Sequence, residues 1–172
     1  MPEDLIIRWT ARVAVSCYVM RLMIDAGAAR SVPAQKWARA WWTLGCAVFV
    51  AHVLTAFHFQ HGWNHTVAFD YTAKRTAELT GWNSGIGLYI NEAFLVLWLA
   101  DTIQWWRDFN WSQNRLAYWI VQGIFGFLIF QSTAVFGPPF WKVVVTAVIL
   151  ALTVLRLRAH AASNGRKPEL NI

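Results

Sequence analysis

The chain has 172 residues, of which 57% are hydrophobic and only 14% charged. Soluble domains carry about 25% charged residues, so this composition excludes a disordered chain, a fibrous rod and a disulfide-stapled secreted domain. The net charge of +6 comes from basic residues that flank apolar runs, which indicates membrane topology rather than nucleic-acid binding. We therefore expect an all-α, integral membrane helical bundle, with the lipid bilayer as partner and no nucleic acid.

Five apolar runs are long enough to cross a bilayer, and in lipid each should be a helix. The predicted transmembrane helices are 5–25, 41–61, 86–106, 116–136 and 140–156. They make a single transmembrane domain, residues 1–160, followed by a polar cytoplasmic tail, residues 161–172.

The first run is the ambiguous one, because it contains Arg8, Arg12 and Arg21. An interfacial amphipathic helix, which would leave four spans, requires these arginines on one face. Arg12 and Arg21 are nine residues apart, which is about 900° of helical rotation, so they point to opposite sides. This spacing favours a spanning helix whose arginines snorkel or pair.

Five spans divide the basic residues unequally between the two sides. One side has ten: Arg21, Arg30, Lys36, Arg39, Arg107, Arg115, Arg156, Arg158, Arg166 and Lys167. The other side has five: Arg8, Arg12, Lys74, Arg75 and Lys142. The positive-inside rule then predicts a cell inner membrane protein with its N-terminus outside and its C-terminus in the cytoplasm. Most of the twelve Trp residues fall near the helix ends, as an aromatic belt would place them.

Four of the five histidines lie between positions 52 and 65. If one helix ran through this stretch, His58, His61 and His65 would share a face at the outer end of the second span; a break at Gly62 would leave only His58 and His61 together. Neutral imidazoles on one face are ligands for Cu, Zn or Fe. Haem is disfavoured, since two side chains on one face of a helix cannot reach opposite faces of a porphyrin.

The third run contributes two carboxylates, Glu92 and Asp101, which need partners inside a membrane. Glu92 lies at the same predicted depth in the membrane as Arg12, and Asp101 at the same depth as Arg21. We expect Arg12–Glu92 to be the buried pair. Glu92 also lies at the depth of the histidines, so the candidate metal ligands are His58, His61, His65 and Glu92. The alternatives are an ion pair that fixes helix packing and a proton relay.

His52 is expected near the middle of the membrane, hydrogen-bonded to a neighbouring helix or serving a proton path. The long outer connection contains Asp70, Lys74 and Glu78 at i, i+4 spacing, which predicts a short helix that stops at Gly81. This helix would cover the outer mouth of the bundle. Gly123 and Gly126 in the fourth run predict a close approach of two helices.

The segments FHFQHGWNH and GLYINEAFLVLWLAD resemble small uncharacterised bacterial multi-pass membrane proteins with a His-rich second helix. The resemblance implies a membrane location and no particular activity. Three hypotheses follow for the function: a protein that binds a transition metal or redox cofactor, an accessory subunit of a larger membrane complex or homo-oligomer, and a small proton or solute carrier. No nucleophile–base arrangement supports a hydrolase.

Overall fold

The computed structural model describes residues 2–27, 31–135 and 137–164, and all regular structure in them is helical. The six α-helices are α1 (Pro2–Gly27), α2 (Val32–Phe59), α3 (His65–Thr80), α4 (Ile86–Arg107), α5 (Arg115–Phe130) and α6 (Phe140–Asn164). A 3₁₀ turn (Trp111–Gln113) precedes α5 and a π-helical turn (Gln131–Val135) follows it. Three of the predicted inner-side basic residues, Arg30, Arg166 and Lys167, lie outside the described residues, as does the tail from residue 165.

Four helical segments in the described part of the chain are long and apolar enough to cross a membrane. They are Val32–Phe59, Ile86–Arg107, Arg115–Thr133 and Phe140–Ala162. These segments confirm four of the five predicted runs as membrane-length apolar helices. α1 is long enough to cross a membrane but does not have the apolar composition of the other four segments, because charged residues recur along it.

Several helix boundaries differ from the predicted ones. α2 begins at Val32 rather than near 41, because Pro33 occupies its first turn and the Ser31 hydroxyl caps it by accepting a hydrogen bond from the Ala34 N–H at 3.4 Å. Proline has no backbone N–H, but the N–H groups in the first turn of a helix have no partner within the helix. A proline can therefore start a helix as readily as it ends one. α6 continues to Asn164, so the start of the predicted tail is helical.

α1 and α2 form an antiparallel hairpin that is in contact along its length. At one end of the pair, His52 of α2 contacts Ile7 and Thr10 of α1. Near the middle, Gly45 packs against Cys17, and at the other end the guanidinium of Arg21 lies over the Trp42 ring. α1 therefore runs beside a membrane-length helix rather than across its end.

The remaining long helices continue the up-and-down arrangement. Phe49 of α2 meets Phe94 of α4 with ring centroids 5.1 Å apart, and the indole N–H of Trp106 at the end of α4 donates to Thr43 in the first half of α2. α6 runs in the same direction as α1, since Arg12 lies beside Phe140 and Gly27 beside Leu155. The bundle thus has two ends, which we call the α3 end and the Arg21 end after the elements found there.

The core of the bundle is aromatic. Trp42, Trp98 and Phe125 are at most 1% exposed, with ring centroids 4.7 to 5.1 Å apart. Trp105 is buried as well. Six other tryptophans are more than half exposed near the helix ends, as the belt predicts: Trp9, Trp37, Trp63, Trp82, Trp106 and Trp119. The tryptophans therefore include an exposed group near the helix ends and a buried group in the core, and only the first was expected from the sequence.

The close helix approach occurs at a different glycine from those predicted. A Cβ on Gly123 would meet nothing within 4 Å, and one on Gly126 would make only an ordinary contact at 3.8 Å. A Cβ on Gly45 would lie 2.8 Å from the Trp98 ring and 3.1 Å from Cys17. Gly45 is thus the small residue that lets α1, α2 and α4 meet.

Candidate functional site

The histidine-rich stretch does not form one helix. α2 ends at Phe59, and the chain then turns through Gly62 (φ +54°) and Trp63 (φ +61°) before α3 begins at His65. Backbone in the left-handed region cannot continue a right-handed helix. His58, His61 and His65 therefore do not share a helix face, and the break expected at Gly62 is the arrangement observed.

Each of the three histidines has different surroundings. Nδ1 of exposed His58 accepts a hydrogen bond from the Trp63 indole at 3.2 Å. Nε2 of His65 lies 2.8 Å from Oε1 of Glu92, in a pair whose side chains are 47% and 38% exposed. In the described part of the chain, no three His, Cys, Asp or Glu side chains are grouped so that they would hold a metal ion. The four expected ligands are thus reduced to one partly exposed pair, His65–Glu92.

His52 is fixed by α1, as expected for a deep histidine bound to a neighbouring helix. Its Nδ1 lies 3.1 Å from the carbonyl oxygen of Ile7 and 3.2 Å from Oγ1 of Thr10. Because a carbonyl oxygen only accepts, Nδ1 carries the proton and donates, which leaves Nε2 as a hydrogen-bond acceptor. The interaction also ties α1 to α2.

A cavity of about 340 Å³ lies between α1, α2, α4 and α5 and is bounded by α3. Its walls are largely apolar, from residues such as Phe94, Trp98 and Leu128. The polar side chains that line it are His52, Gln60, His61, Tyr71, Thr72, Asn91, Glu92 and Ser132. An apolar chamber with a few polar groups is the usual composition of a small-molecule site.

His61 stands out among these polar residues because it is buried and incompletely hydrogen-bonded. The ring is 9% exposed and packs edge-on against Phe57 and Tyr71, with centroids 5.7 and 5.3 Å away. Its Nδ1 is buried without a hydrogen-bond partner among the described residues. Burial lowers the pKa of His61, so the ring is neutral at pH 7. One buried ring nitrogen is therefore unsatisfied at the edge of the cavity.

The polar pairs expected from helix depth have other partners in the structure. Glu92 pairs with His65, while the guanidinium of Arg12 lies 5.2 Å from the Trp9 ring and 5.7 Å from the Phe140 ring. The comparison of residue depths in the apolar runs did not include α3, and it is α3 that brings His65 to Glu92.

Arg21 and Asp101 are likewise separate. Nε of Arg21 is 3.4 Å from Oδ2 of Asp25 on its own helix. Buried Asp101 instead accepts a hydrogen bond from the Trp111 indole at 2.8 Å.

Five of the eight polar lining residues were not among the candidates from the sequence: Gln60, Tyr71, Thr72, Asn91 and Ser132. Gln60 and Asn91 directly adjoin the candidate residues His61 and Glu92 in the chain, and this position could have identified them from the sequence. Tyr71 had no comparable signal, because its role depends on how α3 folds back over the end of α2.

Comparisons with protein-family models, with curated proteins and with solved structures find no match for this chain. The function is therefore inferred from the geometry of the cavity.

Proposed function

We propose that this protein is a membrane protein that binds a lipid-soluble small molecule with a hydrogen-bonding head group in the cavity at the α3 end. Quinones and their reduced forms are the redox cofactors with this chemistry. The observation that carries the proposal is a largely apolar cavity with a few polar lining residues, among them His61, whose buried Nδ1 is unpaired within the described part of the chain. A buried polar atom without a partner costs about 1–3 kcal/mol, and a ligand head group would supply the missing hydrogen bond after a rotation of the His61 ring that turns Nδ1 to the cavity.

The other cavity residues suit the same kind of ligand. Nε2 of His52 is an acceptor for a hydroxyl, and the amide of Asn91 offers both a donor and an acceptor. The aromatic wall from Phe94 and Trp98 suits an apolar ring or chain. The proposal includes no metal, because His65 and Glu92 supply only two ligands.

The test is calorimetric titration of the detergent-purified protein with three probes: a decyl-substituted benzoquinone, its hydroquinone and farnesol. We expect at least one probe to bind, and His61→Phe to weaken that binding by about tenfold, the equivalent of one hydrogen bond. Phenylalanine keeps the ring that packs on Phe57 and Tyr71. The matched control is His58→Phe, a nearby histidine that is exposed and does not line the cavity.

Two outcomes would overturn the proposal: none of the three probes binds, or His61→Phe binds as tightly as His58→Phe. Elemental analysis of the same sample tests the competing metal hypothesis. Stoichiometric Cu, Zn or Fe that is lost in His65→Ala would favour a metal centre instead. The accessory-subunit and carrier hypotheses stay predictions, since no contact in the described residues favours either.

For the topology, we infer five spans in the inner membrane, with the α3 end outside. The support is the packing of α1 along α2, together with the burial of Arg21, whose charge is shielded by aromatic rings rather than left in lipid. The Arg21 end also carries most of the described basic residues, among them Lys36, Arg107 and Arg158.

Labelling of introduced cysteines with a membrane-impermeant maleimide on spheroplasts tests this topology. We expect Arg8→Cys to be labelled and Arg158→Cys to be labelled only after permeabilisation. The parent chain is the blank, since Cys17 and Cys46 are buried. If α1 lies on the cytoplasmic surface, Arg8→Cys will be protected in the same way as Arg158→Cys, and the four-span arrangement is correct.

A further inference from the structure

A second cavity, of about 380 Å³, lies at the Arg21 end, opposite the first. It is bounded by the end of α1, the starts of α2 and α5 and the last turns of α6. Its lining is polar and cationic, and includes Asp25, Gln113, Arg115, Tyr118, Trp119 and Arg156. None of these residues was singled out as a candidate site residue from the sequence.

The charges around this cavity do not balance. The one carboxylate among the described lining residues, Asp25, is already engaged, because its Oδ2 accepts a hydrogen bond from the Tyr118 hydroxyl at 3.1 Å and lies 3.4 Å from Nε of Arg21. Within the described ranges, neither Arg115 nor Arg156 has a carboxylate at ion-pair distance. Two arginines therefore line one cavity together with Asp25, and neither has a carboxylate of its own at ion-pair distance in the described part of the chain.

The surroundings indicate which kind of anion would fit. The guanidinium of Arg156 lies 5.6 Å from the ring of Trp119, which is 57% exposed, and exposed Trp marks the level of lipid head groups in the proposed bilayer. Leu116, the residue after Arg115, is 72% exposed and adds to the apolar surface at the start of α5. Guanidinium groups bind phosphate oxygens in bidentate fashion. The cavity thus combines a phosphate-binding charge with an exposed tryptophan ring at the proposed level of the lipid head groups.

We propose that the cavity at the Arg21 end binds the phosphate of an anionic phospholipid from the cytoplasmic leaflet, held by Arg115 and Arg156. The site is separate from the cavity at the α3 end and depends on the proposed membrane orientation, but not on the proposed ligand of that other cavity.

The experiment is native mass spectrometry of the full chain released from nanodiscs that contain equal amounts of phosphatidylglycerol and phosphatidylcholine. We expect retained phosphatidylglycerol on the parent protein, and a loss of about tenfold or more in its retention when both Arg115 and Arg156 are changed to glutamine. The matched control is Arg107→Gln/Arg158→Gln, which removes the same charge from exposed positions at the same end that do not line the cavity. A parallel titration with inorganic phosphate in detergent tests whether the free ion binds.

Each outcome decides the proposal. Selective loss of phosphatidylglycerol in the Arg115/Arg156 variant alone supports it. Equal retention in both variants, or equal loss in both, overturns it, because the lipid would then respond to overall charge or not at all. Tight binding of inorganic phosphate without lipid retention would assign the cavity to a soluble anion. Thermal denaturation shows whether the glutamine variant folds. If it does not, Arg115→Lys/Arg156→Lys replaces it, since lysine keeps the charge but loses the bidentate geometry. The lysine variant should then retain less phosphatidylglycerol than the parent.

Discussion

Arg21→Ala is expected to lower the free energy of unfolding by about 3–5 kcal/mol, the cost of truncating a long buried side chain together with its ring contacts. The residue is 2% exposed, and its guanidinium lies 4.1 Å from the Trp42 ring centroid and 4.7 Å from that of Trp105. Alanine would leave a void between these two rings and remove the cation–π contacts. The measurement is SDS-driven unfolding in mixed micelles, followed by tryptophan fluorescence.

Arg21→Met separates packing from charge at this position. Nε and Nη1 of Arg21 are buried without hydrogen bonds among the described residues, although Nε is near Asp25. Methionine fills a similar volume and removes the cost of burying a charge with unsatisfied donors, which offsets the lost cation–π and ion-pair energy. We expect Arg21→Met to be within about 1 kcal/mol of the parent.

The control for both variants is Arg8→Ala, at an exposed position on the same helix, which should change stability by less than about 0.5 kcal/mol. If methionine destabilises the protein as much as alanine does, the charge itself holds this end of the bundle together and the packing account is wrong. If alanine has no effect, the aromatic enclosure of Arg21 contributes nothing to stability.

The helix content was predictable from the sequence because an apolar run long enough to cross a bilayer can adopt few structures other than a helix. The inward faces were not predictable, since a helix in lipid is apolar all round and hydrophobic periodicity then does not distinguish core from lipid contact. Trp42 and Trp106 illustrate this limit: both lie near the end of a predicted apolar run and are equally apolar, yet one is fully buried and the other 57% exposed. The packing of α1, α4 and α5 around Trp42 makes the difference.

The candidate site was predicted in part. His52, His61 and Glu92 were singled out as rare polar residues in apolar surroundings, and all three line one cavity. The metal grouping was not found, because it required one continuous helix from His58 to His65 and the chain turns at Gly62 and Trp63. A glycine signals that a helix break is possible, but the direction of the chain after the break is set by the docking of α3.

Gly45→Ala is expected to destabilise the bundle by about 1–3 kcal/mol, the usual cost of overpacking a filled core, and Gly45→Leu by more. The added Cβ would lie 2.8 Å from Cζ2 of Trp98, and neighbouring rings limit how far the indole can shift away. These rings are Trp42, Phe94 and Phe125, with centroids 5.0 to 5.5 Å away. The strain is therefore relieved by separating α2 from α4 or α1, or by pushing the Trp98 ring toward the cavity that it lines.

Gly123→Ala is the matched control, a glycine in a membrane-length helix whose added Cβ would meet nothing within 4 Å. Its stability should be unchanged or slightly higher, since alanine favours a helix by up to about 1 kcal/mol over glycine. Both variants are measured by the same SDS-driven unfolding. Equal effects at the two positions would mean that Gly45 is not the point of close approach. Because Trp98 also lines the cavity at the α3 end, a Gly45→Ala protein that remains folded should in addition bind the quinone or farnesol probes more weakly than Gly123→Ala does.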